Sequence, residues 1–283
     1  MVLISQNMNS RKLTPCEITS ASNALLDNGF AVIKGYVDAT KCYSLSERLS
    51  SLHSELAQRS LASGSPIGLQ SSIAADRIIN NIIAFDNSLL AVTTSGDHLS
   101  VLAPVLNDKY YGLIPDDEPN FLLAQANARE GSSALPFHVD VRLMTYGKES
   151  WSYQAQLACS TRNANTGGLR VRPQSHMSGV MPDSSRDYKD AIDVPLNPGD
   201  LALFSSKLHH ATYAAKSGFT PGWAINLTYR CWWVKPQFDF WRMLDDKQKR
   251  TLRPNQKLLL GACSIPSADV SSSPSMRTGY DDL

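Results

Sequence analysis

The sequence carries almost no net charge, no paired cysteines and no long apolar run. Its 27 Lys and Arg stand against 26 Asp and Glu, a formal balance of +1. A basic field of the kind that grips nucleic acid is therefore absent, and no nucleic-acid partner is expected. Cys16, Cys42, Cys159, Cys231 and Cys263 are odd in number and widely spread, with no CxxC pair. That spacing reads as reduced, mostly buried thiols in a cytoplasmic protein, not as a disulfide framework or a structural zinc site. No apolar stretch reaches about 18 residues, so no membrane-spanning helix and no membrane partner are expected. The opening residues lack the basic-then-apolar order of a secretory signal. The last three, Asp281, Asp282 and Leu283, are not a peroxisomal address. No repeat and no Pro-, Gly- or Ser-rich linker divides the chain.

What is present is ordinary globular material: 283 residues, 42 % hydrophobic and 19 % charged. A chain of this length buries roughly three-quarters of its unfolded surface without help from a metal. It reads as a single domain over 1–283, with N-terminal helices and flanking strands in 1–120, a β core in 121–241, and a C-terminal helix and tail in 242–283. Thr14 with Glu17 three residues on predicts a capped helix that ends at Asn28-Gly29. A short strand from Phe30 and a second helix over 39–61, with Leu45, Leu49 and Leu52 at helical spacing, follow. The spacing of Leu and Val over 87–106 predicts a further helix. From Phe121 the texture changes to short apolar runs broken by turns, at 121–128, 151–160, 168–173, 201–204 and 223–233. Such spacing predicts a sandwich or barrel of antiparallel sheet. Ser264 onward is Ser- and Pro-rich and reads as a loosely held tail.

One constellation carries chemistry. His138 and Asp140 are separated by a single residue, so on a strand both side chains project from one face while Val139 packs on the other. One imidazole and one carboxylate are two-thirds of a facial triad. A second His from a distant strand would complete the arrangement that suits non-haem Fe(II) with open positions for oxygen. His209 and His210 are the candidates, and as neighbours on a strand they face opposite ways.

The order of the motifs adds weight: HxD, then Gly167–His176 (GGLRVRPQSH), then Pro198–Phe204 (PGDLALF), then the His pair, then an apolar strand running into Arg230. In this the sequence resembles the phytanoyl-CoA dioxygenase-like branch of the Fe(II)/2-oxoglutarate-dependent oxygenases. The resemblance implies a mainly β fold with flanking α-helices, built on a double-stranded β-helix (jelly-roll, cupin-like) core. It implies Fe(II) as cofactor, 2-oxoglutarate and O2 as co-substrates, and hydroxylation or a related oxidation of a small-molecule metabolite, such as a natural-product intermediate, by a monomer or homodimer. His138, Asp140 and the distal histidine would hold the iron. The family spacing from Gly199 selects His210 over His209, and Thr212 fits the hydroxyl the family places two residues later. Asp140 itself argues against halogenation, which vacates that position for chloride. His176 resembles a structural turn histidine.

The place where the family carries its arginine for the far carboxylate of 2-oxoglutarate falls at Gly222 or a neighbour, and no Arg stands there; another cation could substitute. Arg129, Arg230 and Lys216 are the candidates. Arg142, Trp151, Tyr153 and Trp223 are candidate substrate contacts, with Tyr213 also near the site. Trp232, Trp233 and the segment 238–241 are expected to dock the C-terminal helix. Gly222 motivates one alternative, an Fe(II) oxygenase that does not use 2-oxoglutarate; a second, of another class, is a catalytically inactive jelly-roll binding protein that kept the fold and lost the metal.

Overall fold

The computed structural model describes residues 10–70, 76–109, 114–115, 118–131 and 133–264. The expected tail from Ser264 onward lies almost wholly outside the described residues.

Helix α1 (Pro15–Asn28) starts where its capping box places it: the Glu17 amide donates to Thr14 Oγ1, and the Thr14 amide donates to the Glu17 carboxylate. It ends at Gly29 and gives way to β1 (Phe30–Ile33). Helix α2 (Ala39–Ser63), capped by Asp38, buries Cys42, Leu45, Leu49, Leu52 and Leu56 along one stripe. Strand β2 (Arg77–Ile79) follows. The region expected to be one helix over 87–106 is broken. A 3₁₀ turn at Asn87–Leu89 leads into α3 (Leu90–Thr94), and after Gly96 the chain restarts as α4 (His98–Leu106). The apolar spacing was real, but the run breaks at Ser95-Gly96, where Ser95 is extended and Gly96 sits at φ +120°. No single helix among the described residues is long and apolar enough to cross a membrane.

Eight further strands build the core: β3 (Phe121–Glu130), β4 (Leu135–His138), β5 (Ser152–Ala158), β6 (Leu169–Val171), β7 (Ile192–Val194), β8 (Leu201–Ser205), β9 (His210–Thr212) and β10 (Trp223–Cys231). They form a six-stranded sheet in the order β1-β8-β5-β10-β3-β2 and a four-stranded sheet in the order β4-β9-β6-β7. The named pairings are antiparallel throughout. This is the expected double-stranded β-helix, with helices packed outside the larger sheet. Short helices α5 (Phe240–Met243), α6 (Asp246–Thr251) and α7 (Pro254–Leu259) close the chain.

Alternation along the central strands divides two environments. Tyr153, Ala155 and Leu157 of β5, with Trp223, Ile225, Leu227 and Tyr229 of β10, join the leucines of α1, α2 and α4 in the main core. The opposite face packs Ala158, Ala202 and Phe204 against Leu169 and Val171 of the smaller sheet. The turn before β8 ties the layers together. Asp200 accepts hydrogen bonds from the Gly35 and Asn197 amides and pairs with Lys34. Gly199 sits at φ +94° with Val37 O 1.9 Å from where a Cβ would stand, so no side chain fits there.

Candidate metal centre and cavity

The register of two short strands brings the histidines together. His138 of β4 lies directly opposite His210 of β9, and cross-strand partners share a face. Their ring centroids are 4.1 Å apart. Strand β4 ends at His138, so Asp140 is not an i+2 strand neighbour as expected. It sits in the turn beyond, where its amide donates to Ser206 O at 2.8 Å. From there the carboxylate reaches back, with Oδ1 3.7 Å from His138 Nε2 and Oδ2 3.5 Å from His210 Nε2. The three ligand atoms lie within 4.8 Å of one another.

Both imidazoles are steered by backbone. His138 Nδ1 lies 2.8 Å from Pro136 O, and His210 Nδ1 lies 3.0 Å from Leu208 O. A carbonyl can only accept, so each Nδ1 carries the proton and each Nε2 presents its lone pair to the cluster. Burial holds His210 below the ordinary imidazole range, against the opposing pull of Asp140. Two neutral nitrogens and one carboxylate, spaced for bonds of about 2.1 Å to a first-row ion, fit Fe(II) held on one face. His209 turns away: its Nε2 lies 2.8 Å from Val180 O and its ring packs near Tyr188. His176 is fully buried, with Nε2 3.1 Å from Leu26 O of α1, in the structural place expected for it.

A cavity of about 690 Å³ opens beside the triad, lined by His138, Asp140 and His210. Pockets of roughly 300–1,000 Å³ hold drug-sized ligands, so there is room for a dicarboxylate and a small substrate together. Its floor is made of amides in cross-strand rows. Asn127, Asn226 and Gln156 stand side by side on β3, β10 and β5, and Gln125, Thr228 and Gln154 form the next row. They bond to one another: Gln156 Nε2 donates to Asn226 Oδ1 at 2.8 Å, and Thr228 Oγ1 donates to Gln154 Oε1 at 2.8 Å.

The other candidates divide. Arg129, Thr212, Arg230, Arg142 and Trp151 all line the cavity. Arg129 is already paired with the buried Asp76 carboxylate. Thr212 Oγ1 accepts from the Leu135 amide at 3.2 Å. Arg230 shares a strand face with the Gly222 end of β10 but stands eight residues on, about 26 Å away at strand rise, where Asp140 acts on it. It cannot occupy the Gly222 end.

Tyr153 and Trp223 do not reach the cavity. They lie on the helix-facing side of the sheet, Tyr153 fully buried and Trp223 donating Nε1–H to Ser50 Oγ of α2 at 2.9 Å. Aromatic rings on these strands serve the apolar core, as large rings usually do. Lys216 is outside the cavity lining, and Tyr213 donates to Asp193 at the surface. Phe238 and Phe240 dock the C-terminal segment as expected, but Trp233 sits edge-on to Trp151 at the cavity mouth, 5.5 Å between centroids.

Sequence reasoning missed three features that line the cavity: Lys207, the amide rows and Arg162. The amides carried a signal, alternate polar residues within β5 and β10. Arg162 lies in a loop and carried none.

Solved structures share this architecture at low identity. The structure of HygX from Streptomyces hygroscopicus with nickel and 2-oxoglutarate bound matches with TM-score 0.60 and 15 % identity, over 80 % of this chain and 90 % of that one. The non-heme alpha ketoglutarate dependent epimerase SnoN from nogalamycin biosynthesis matches with TM-score 0.55 and 15 % identity, over 79 % and 87 %. The non-heme monooxygenase ThoJ matches with TM-score 0.54 and 17 % identity, over 77 % and 80 %. At such identities these likenesses establish the fold. No curated protein matches the sequence. The model of the phytanoyl-CoA dioxygenase (PhyH) family matches residues 25–220, well over half of the chain. With that match added to the two histidines and one carboxylate gathered at the cavity, the chain belongs to the phytanoyl-CoA dioxygenase family.

Proposed function

We infer that this protein hydroxylates a polar small molecule, a natural-product intermediate, in the cavity beside His138, Asp140 and His210. It is an oxidoreductase of the Fe(II)- and 2-oxoglutarate-dependent class. The observation that carries the reading is the triad itself, two lone pairs and one carboxylate converging with both tautomers set by backbone carbonyls. Fe(II) bound there supplies oxidation of a substrate C–H by O2, with 2-oxoglutarate giving up carbon dioxide to become succinate.

The chain's own residues hold, orient and sort. Asp140 fills the carboxylate position, which leaves no vacancy for a halide and favours oxygen insertion. The amide rows on β3, β5 and β10 favour a ligand rich in hydroxyl or amide groups, since their unused capacity, such as the unpartnered Gln156 Oε1, would gain nothing from an apolar one. Arg142, Arg230 and Lys207 with Trp151 line the cavity near Asp140, and we assign them to the substrate side. Lys207 Nζ is braced by the carbonyls of Thr145 and Gly147, both at 3.0 Å. Similar structures carry nogalamycin RO in SnoN and hygromycin B in HygX, which supports a natural-product substrate.

The test is stoichiometric. Iron-loaded protein incubated with 2-oxoglutarate and a panel of polyhydroxylated and amide-bearing metabolites should form succinate in step with product. Oxygen uptake with product but no succinate would favour an iron oxygenase that does not use 2-oxoglutarate. Failure to bind Fe(II) anaerobically would leave a jelly-roll binding protein.

A further inference from the structure

We propose that Arg162 grips the far carboxylate of 2-oxoglutarate, replacing the arginine that Gly222 has displaced. The inference rests on the oxygenase reading above and names the residue that completes its co-substrate site.

Position 222 cannot carry a side chain. A Cβ there would stand 1.7 Å from Ser160 Oγ and 2.3 Å from Ser160 Cβ. Arg162 covers this same spot from the loop after β5. Its Nη1 donates to Gly222 O at 3.0 Å and its Nη2 donates to Gly167 O at 2.6 Å. The guanidinium therefore lies against the backbone from which the family's arginine would have projected.

The group is built for an anion. Arg162 is 4 % exposed and lines the cavity with His210 and Thr212. No carboxylate among the described residues lies within ion-pair distance of it, and Nε has no partner. A guanidinium has five N–H donors, and the two carbonyls use two of them. A buried cation without a counter-charge is costly, and a ligand carboxylate that reaches it offsets the cost. The other cation at this end does not compete, because Arg129 is answered by Asp76.

The path from the metal fits. His210 and Thr212 share one face of β9, and Leu169 of β6 pairs with Thr212. A ligand chelated beside His210 and extended along β9 passes Thr212. That hydroxyl accepts from the Leu135 amide and keeps its own proton to give. Beyond it stand Gly167 and the guanidinium bound to its carbonyl.

The experiment measures binding, not turnover. Fe(II)-loaded protein is titrated anaerobically with 2-oxoglutarate and with 2-oxobutanoate, which chelates identically but lacks the far carboxylate, following the metal-to-ligand charge-transfer absorption. Wild-type protein should prefer 2-oxoglutarate by about 30-fold or more. Arg162→Met should erase the preference while binding 2-oxobutanoate as wild type does, and Arg162→Lys should keep part of it. Stoichiometric Fe(II) uptake by each variant reports that the site has folded. If Arg162→Met does not fold, the Lys variant decides: an undiminished preference overturns the proposal. So does a preference lost in Arg230→Gln or Arg129→Lys but kept in Arg162→Met. Absence of any charge-transfer band in wild-type protein would instead sink the oxygenase reading, and the assignment of Arg162 with it.

Discussion

The two faces of the six-stranded sheet are made by the same strands and serve opposite ends. On one face Tyr153, Leu157, Ile225, Leu227 and Tyr229 vanish into the leucine-lined helices. On the other, one residue out of step, Gln154, Gln156 and Asn226 line the cavity beside the metal ligands. Over the stretch that borders the cavity, parity separates stability from chemistry. Substitutions of alternate residues should therefore fall into two classes with little leakage between them.

The largest effect should come from the cavity face. His210→Ala removes a ligand, and Fe(II) affinity should drop by more than about 100-fold, beyond what loss of a mere supporting group costs. Product formation should vanish with it. Its thermal midpoint without metal should stay near wild type, because the imidazole contributes nothing to the helix-side core.

The converse change is Leu227→Ala, one residue from Asn226. It should cost about 2–5 kcal/mol in urea unfolding and leave the Fe(II) titration of the folded protein unchanged. A variant that lost both together would break the comparison.

Acid should attack the helix side first. His98 is enclosed between Tyr36 and Tyr229: Tyr229 Oη donates to Thr93 O, so His98 Nε2 must donate to Tyr229, and Nδ1 accepts from Tyr36. Burial pushes this imidazole down to about 4. The unfolded chain takes up a proton near pH 6.5 and the folded one does not until about 4, so stability is full above 6.5 and declines as pH falls through that window. The total is about 3 kcal/mol from this residue. Burial displaces His176 and His209 in the same direction and adds to the loss. Urea midpoints between pH 7.5 and 4.5 measure it, and His98→Gln should flatten the slope.

The smallest effect sharpens the contrast most. Tyr153→Phe should change neither substrate affinity nor stability by more than about 0.5 kcal/mol, since its hydroxyl is buried with no hydrogen-bond partner. A substrate KM that rose several-fold would return Tyr153 to the active site.

What the sequence made legible follows the same division. Capping at Thr14, the stripe on α2 and the turn at Gly199 were readable because each depends on neighbours a few residues apart. HxD and the His pair supplied the ligand types, but it took the order of the surrounding motifs and the family spacing from Gly199 to select His210 over His209. Tyr153 and Trp223 misled because β5 is buried along its whole length and β10 along most of its own, so hydropathy does not say which face meets the cavity. Aromatic identity then suggested contact where amides did the lining. Asp140 lay past the strand end because Ser206 captures its amide, a contact across 66 positions of sequence. Arg162 was invisible for a related reason: its meaning comes from Gly222, Gly167 and Ser160, which only the fold assembles.

The way the two metal-side imidazoles are held has a wider consequence. Each is anchored by the main-chain carbonyl two residues before it, a group that any residue at that position supplies. The hydrogen bonds that fix the two tautomers depend on no side chain, although Phe204 packs against the His210 ring. The rest of the chamber can thus be rewritten by substitution to admit new molecules while the iron-binding corner stands ready, which is what a scaffold needs if it is to acquire fresh specificities one residue at a time.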